Sequence, residues 1–232
     1  MIKPQILIDD LAIAPGQQPW TKYKDASTIC IIPTRGEISA KVVQNWWAIT
    51  PPINHKFIRI FTVGMEVGAA YSSTIENILA HPVLSKWKYI LTLEEDNMPP
   101  PDGLVKLLEN TDKFDVIGGL YWTKGEMGQP MIYGDPKVKP LNFIPQIPRP
   151  ETIQECNGLG MGFTLFKMDV FKNPRLKRPF FKTLQEYVPG LGVKNHTQDL
   201  YCFENLKKLG YKIACDTRVK VGHYSVEDDI VW

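Results

Sequence analysis

The sequence contains no long apolar run. No window of about 18 or more apolar residues occurs in its 232 residues, so no membrane-spanning helix is expected. The first ten residues, MIKPQILIDD, hold too short an apolar run for a secretory leader, and a cytoplasmic protein is expected (host cytoplasm if viral). Cysteine is sparse. Cys30, Cys156, Cys202 and Cys215 lie far apart with no CxxC pair, which removes the usual zinc spacing and leaves free buried thiols in a reducing compartment as the expectation. An excess of one charge is also missing: 27 basic residues face 25 acidic ones, a net charge of +2, and the basic residues are scattered. Neither nucleic acid nor a membrane surface is called for as a partner. Internal repeats and low-complexity tracts are absent.

What remains is ordinary globular composition, 44% hydrophobic and 22% charged, long enough for one large domain. Residues 1–26 show no clear period, and Pro15-Gly16 and Pro19 mark them as an arm ahead of a domain over 27–232. Strand-like runs at 27–32, 57–63, 89–93 and 115–119 alternate with helical patterns at 42–49, 69–80 and after Asp102, the expected cap of the third helix. Trp46 and Trp47 both fall on the apolar side of the first helix. That alternation predicts an α/β fold with a mixed, mainly parallel central sheet flanked by helices, its first half at 27–122. The second half, 123–232, opens with a proline-rich segment at 123–152, read as hairpins and loops over a cleft. It continues with a glycine-rich stretch at 158–166 that becomes strand-like, a loop at 186–196, a helix at 198–209 capped by Gly210, and closing strands at 211–215 and 219–222.

The chemistry concentrates in Lys88 to Leu108, KYILTLEEDNMPPPDGLVKLL. A buried strand ends in Glu94, Glu95 and Asp96, and Pro99 to Pro101 stop further pairing. Carboxylates at the C-terminal end of a strand sit where open α/β sheets bind ligands. Residues two apart on a strand share a face, so Glu94 and Asp96 point one way and Glu95 the other. Hard carboxylate oxygens suit Mn²⁺ or Mg²⁺ completed by substrate phosphates. The plainer alternative is a solvated acidic turn ahead of a helix N-terminus. Gly158, Gly160 and Gly162 have GxGxG spacing ahead of a strand, so they do not make a dinucleotide loop. A floor of Gly160, Met161 and Gly162 under a donor sugar explains them better. Tyr121 and Trp122 could stack on a sugar or an acceptor, or could be core.

The run Tyr89 to Asp102 resembles the DxD region of GT-A glycosyltransferases, particularly family-2-like enzymes and small stand-alone, phage-type proteins among them. Further pieces agree in order: Ile32-Pro-Thr-Arg35, Gly158 to Phe166, Gln198-Asp199 and Gly222-His223. The likeness spans roughly 27–224; Glu94 stands where the first Asp is usual. The resemblance implies a nucleotide-diphospho-sugar donor (UDP- or GDP-) and a hydroxyl acceptor. It places Pro33, Thr34 and Arg35 at the nucleotide, with Glu66 at its base. Glu94 contacts ribose or a metal-bound water, and Glu95 accompanies it as an orienting residue. Asp96 and His223 become ligands of Mn²⁺ or Mg²⁺, and Asp199 the base of an inverting transfer. The plainer alternative for His223 is a polar cap after a strand; Gly222 before it permits a close backbone approach to a ligand. Asp199 suits the first turn of a helix capped by Thr197 on structural grounds alone. His55 and His81 are read as surface or turn residues, with His196 the one histidine besides His223 whose loop invites a role. Two other functions are compatible with such a sheet. A nucleotidyltransferase would want a glycine- and lysine-rich loop after the first strand, and Pro33-Thr-Arg-Gly36 is too short for it. A non-catalytic carbohydrate-binding or virion protein would not need Asp96 or Asp199.

Overall fold

A computed structural model describes residues 5–8, 25–53, 55–190 and 192–232. The first half runs β1 (Gln5–Ile8), β2 (Thr28–Thr34), α1 (Ala40–Trp47), β3 (Phe57–Val63), α2 (Val67–Ala80), β4 (Tyr89–Leu93), β5 (Asn97–Met98), α3 (Gly103–Leu108) and β6 (Val116–Leu120). The second half continues with β7 (Ile132–Tyr133), β8 (Ile153–Cys156), β9 (Gly158–Leu159), β10 (Phe163–Lys167), α4 (Met168–Lys172), β11 (Leu184–Val188) and β12 (Gly192–His196). It closes with α5 (Gln198–Lys208), β13 (Ile213–Lys220), β14 (Gly222–Ser225) and β15 (Ile230–Val231).

Eight strands form the central sheet in the order β1-β3-β2-β4-β10-β6-β13-β8. β3, β2, β4, β6 and β13 share one direction, and β1, β10 and β8 run against them. The strand–helix alternation of the first half would make β4 and β6 parallel neighbours. Instead β10 inserts between them and pairs antiparallel with both. β10 is apolar on both faces, from Phe163 to Phe166, and so is fit for the middle of a sheet rather than its edge.

β2, β4 and β6 are buried along their whole length. Their side chains divide by alternation between two cores. Ile29, Ile31, Ile90 and Val116 face a core closed by Tyr71, Ile75 and Ile78 of α2 and Phe203 and Leu206 of α5. Cys30, Ile32, Leu91, Leu93 and Ile117 face the opposite core, closed by Val42 and Trp46 of α1 and Leu104 and Leu107 of α3. The fold is therefore the expected single α/β domain with helices on both faces.

Several local expectations need correction. Trp47 is 80% exposed, because α1 presents only Val42 and Trp46 inward. Asp102 precedes α3 without a capping hydrogen bond and instead pairs with Lys106 at 2.8 Å. Thr197 likewise makes no capping bond to α5; its hydroxyl donates to Asp199. The 186–196 segment belongs to a β11–β12 hairpin rather than a loop. The closing strands at 211–215 and 219–222 are one strand, β13, with an irregularity between Asp216 and Lys220. From the arm, Gln5–Ile8 pairs with β3, while residues 1–4 and 9–24 lie outside the described residues. All four cysteines are free and buried, and burial raises their thiols. Gly210, at φ 86°, ends α5 as expected.

Candidate active site

The C-terminal ends of β2 and β4 separate. Their pairing stops at Ile31 and Thr92, before Pro33, which has no amide hydrogen to give. Into this opening β4 delivers the acids. The chain turns at once, with the Asn97 amide donating to the Glu94 carbonyl at 3.0 Å. The acids thus leave the sheet through this turn rather than at Pro99 to Pro101, which end β5. The turn is anchored from outside by Trp46, whose indole N–H donates to the Asn97 carbonyl at 2.8 Å.

After the turn, β5 pairs with β14 in a register that sets His223 opposite Asn97 and Gly222 opposite Met98. The Tyr224 amide donates to the Asp96 carbonyl at 2.8 Å. On its other side, His223 exchanges backbone hydrogen bonds with Trp232 at 3.0 and 3.1 Å. Two residues 127 positions apart are thereby fixed side by side. His223 Nε2 lies 3.3 Å from Asp96 Oδ2. Its Nδ1 lies 2.7 Å from the Trp122 carbonyl oxygen, which can only accept. Nδ1 therefore carries the hydrogen, and in the neutral ring Nε2 presents its lone pair toward the carboxylate. Two lone-pair groups converging in this way suit a cation between them.

Lys124 completes the cluster, donating to Asp96 Oδ2 at 2.6 Å. Burial opposes the charge on Asp96, but the hydrogen bond that His223 Nε2 gives when its ring is protonated, and the one from Lys124, outweigh it and hold the carboxyl below its usual range. Glu94 is different. Half-buried, it is pushed up to about 8, first by burial and then by the charges of Asp96 and Asp199. It continues the face of Ile90 and Thr92, the side on which α2 and α5 pack, and it lies near the Tyr71 and Tyr121 hydroxyls, which burial raises first and the Glu94 charge second. Glu95 turns aside. It accepts from the Arg35 amide at 2.9 Å and from Arg35 Nε at 2.6 Å, and so fixes an arginine that is 89% exposed. Pro33 and Thr34 lie at the end of β2 beside it, and the Thr34 hydroxyl accepts from the Gly36 amide at 3.0 Å.

Asp199 is buried in the first turn of α5. Its Oδ1 accepts from the Leu200 amide at 2.8 Å and from the Thr197 hydroxyl. Its charge is among the causes that raise Glu94, so the two carboxyls lie within electrostatic reach of each other. Glu66 caps α2 through the Ala69 amide at 2.8 Å and accepts from the Thr183 hydroxyl at 3.0 Å. Burial disfavours its charge, yet these bonds and the Gly68 amide hold it below its ordinary value.

The glycines have local reasons. A Cβ on Gly160 would lie 2.0 Å from the Tyr121 hydroxyl, and one on Gly162 would lie 2.5 Å from Asn97 Oδ1. Gly160, Met161 and Gly162 are buried beneath these two side chains, and the Gly162 amide donates to the Tyr121 hydroxyl at 2.9 Å. At Gly222 a Cβ would meet Val231 at 2.5 Å, so the close approach there is to β15. Trp122 is 37% exposed at the rim, its carbonyl on His223. Tyr121 meets the His223 ring edge-on at 5.5 Å.

The structure thus gathers Arg35, Glu94, Glu95, Asp96, Trp122, Asp199 and His223 at one end of the sheet, while Glu66 caps a neighbouring helix. Lys124 escapes a reading of the sequence, since a lysine in a loop after a strand carries no signal of its partner. The His196 side chain lies outside the described residues. No group of three or more His, Cys, Asp or Glu able to hold a metal occurs among the described residues. Asp96 and His223 bring one carboxylate oxygen and one imidazole nitrogen together, a donor pair whose chemistry is compatible with Mn²⁺.

The mixed α/β architecture matches a GT-A-like fold. No family model and no curated protein matches the sequence. Among solved structures, the chain is similar to A197 from STIV, with a TM-score of 0.61 and 19% identity over 88% of this chain and 92% of that one. It is also similar to GalNAc-T7, solved with UDP, GalNAc and Mn²⁺, with a TM-score of 0.55 and 11% identity. That match covers 85% of this chain but 44% of the larger protein. At these identities the likeness is one of fold. No helix among the described residues is long and apolar enough to cross a membrane.

Proposed function

We propose that this chain is a metal-dependent glycosyltransferase that moves a sugar from a UDP- or GDP-sugar to a hydroxyl acceptor with inversion. The observation that carries the reading is the pairing of Asp96 Oδ2 with a His223 Nε2 whose lone pair is aimed by the Trp122 carbonyl. Asp96 and His223 would hold Mn²⁺ or Mg²⁺, which as a Lewis acid stabilises charge on a departing diphosphate. Arg35, oriented by Glu95, offers its terminal N–H groups to the nucleotide. Glu94 sits beside Asp96 for the ribose or a water. Trp122, at the rim, borders the sugar and acceptor, and the buried Gly160–Gly162 segment supports that wall from below. Asp199, oriented by the Leu200 amide and the Thr197 hydroxyl, accepts the proton of the acceptor hydroxyl as that oxygen attacks the sugar. Likeness to a fold that includes a UDP- and Mn²⁺-bound transferase supports the class of donor.

Calorimetry against a panel of nucleotide sugars, with Mn²⁺, Mg²⁺ or EDTA, tests the reading. UDP- or GDP-sugar binding that needs the metal is expected. Asp199→Asn should keep that binding and lose transfer by about a hundredfold or more. Absence of metal-dependent binding across the panel would refute the function, and an unchanged rate in Asp199→Asn would refute the base.

A further inference from the structure

Asp96 already carries a cation that belongs to the protein. Lys124 reaches its Oδ2 at 2.6 Å, the oxygen that also faces His223 Nε2 at 3.3 Å. One oxygen therefore serves both the ammonium and the seat proposed for a divalent ion. Two cations on one carboxylate oxygen repel each other, so the arrival of one weakens the hold of the other.

The loop that bears Lys124 is held by its backbone. Trp122 bridges to Pro130, the Thr123 amide donates to the Gln129 carbonyl at 2.9 Å, and the Gly128 amide donates to the Gly125 carbonyl at 2.9 Å. The Thr123 hydroxyl accepts from the Gln129 amide at 2.8 Å. These bonds fix the tether and leave the lysine stem out. The Lys124 side chain is 35% exposed, on a flexible four-carbon stem that can swing its ammonium without moving the loop. The charge balance gives it somewhere to go. Among the described residues, Arg35 is held at a distance from Asp96 by Glu95, through its Nε, whereas Lys124 is the basic side chain bonded to Asp96 itself and stands nearest to an incoming metal-bound diphosphate.

We propose that Lys124 is a displaceable counter-ion. It occupies Asp96 while the donor is absent, yields that oxygen to the divalent ion, and moves to a phosphate oxygen of the nucleotide diphosphate. The inference rests on the metal-dependent transfer proposed above. When the bond between the sugar carbon and the diphosphate oxygen breaks, the electron pair stays on that oxygen. Lys124 keeps its proton throughout and contributes charge and a hydrogen bond.

The test measures Mn²⁺ binding by electron paramagnetic resonance, and UDP and GDP binding by calorimetry, on the full chain. Wild type, Lys124→Met and Lys124→Arg are compared, with circular dichroism to confirm folding. Without nucleotide, Lys124→Met should bind Mn²⁺ about tenfold more tightly than wild type, because its competitor is gone. With Mn²⁺ present, Lys124→Met should bind the nucleoside diphosphate about tenfold more weakly, and Lys124→Arg should recover most of that loss. Unchanged or weaker Mn²⁺ binding in Lys124→Met overturns the inference, as does unchanged diphosphate binding. Equal diphosphate affinity of the wild type with and without Mn²⁺ overturns the inference together with the metal-dependent function on which it rests. A wild type that binds neither Mn²⁺ nor either diphosphate refutes the underlying function as well, an outcome distinct from an unresponsive Lys124→Met.

Discussion

Glu94 makes the electrostatics of this site measurable without substrate. Its carboxyl is pushed from an ordinary 4.5 up to about 8 by burial and by Asp96 and Asp199. In the unfolded chain it ionises near its ordinary value; in the folded chain it holds its proton to about 8. Its contribution to stability is therefore fully present below about 4.5 and is lost as pH rises toward 8. Across that window each pH unit removes about 1.4 kcal/mol, so the step from about pH 5.5 to about pH 7.5 removes up to about 2.7 kcal/mol. The side chain keeps some contact with water, and about 1–3 kcal/mol is the range to expect. Glu94→Gln has no proton to lose. Urea denaturation of EDTA-treated wild type and Glu94→Gln at the two pH values isolates the effect, because titrating groups that Glu94 does not act on cancel in the difference. Wild type should lose about 1–3 kcal/mol more than the variant over this interval. Parallel losses would show that Glu94 ionises normally, and that neither burial nor the two aspartates act on it as described.

Gly160→Ala should destabilise the fold by about 2–4 kcal/mol, since the new methyl meets the Tyr121 hydroxyl at 2.0 Å and displaces the acceptor of the Gly162 amide; an unchanged urea midpoint would contradict that packing. Glu95→Ala should cost less than about 1 kcal/mol of stability, because its partner Arg35 is exposed, yet it should weaken nucleotide binding several-fold by releasing that arginine. Calorimetry showing unaltered nucleotide affinity would remove Arg35 from the site.

The parts of the fold legible in the sequence are those set by local chemistry. The continuous apolar runs of β2, β4 and β6 and the acids at the end of β4 follow from residue type and period. What was not legible depends on long-range pairing. β10 reads as a strand, but nothing local says that it enters between β4 and β6. Gly222 reads as room for a ligand, yet the neighbour is Val231 of β15. Glu66 reads as a loop acid because the helix begins two residues earlier than its apolar period, and the side chain caps it. The site shows the same division. Asp96 and His223 stand out by context, whereas their convergence depends on the β5–β14 register and the tautomer on the Trp122 carbonyl. Lys124 became visible only through its partner. The fully buried Asp216 shows why charge and burial alone do not make a site: Arg218 neutralises it at 2.7 and 2.9 Å.

The central claim is that Asp96 and His223 together hold a divalent ion at the end of β4. A crystal grown with Mn²⁺ and UDP or GDP, measured near the manganese absorption edge, tests it most directly. The account predicts an anomalous peak bonded to Asp96 Oδ2 and His223 Nε2 and to phosphate oxygens, with Arg35 at the nucleotide and Lys124 off Asp96. A bound nucleotide with no manganese at that pair, or manganese bound elsewhere while Lys124 still holds Asp96, would contradict it.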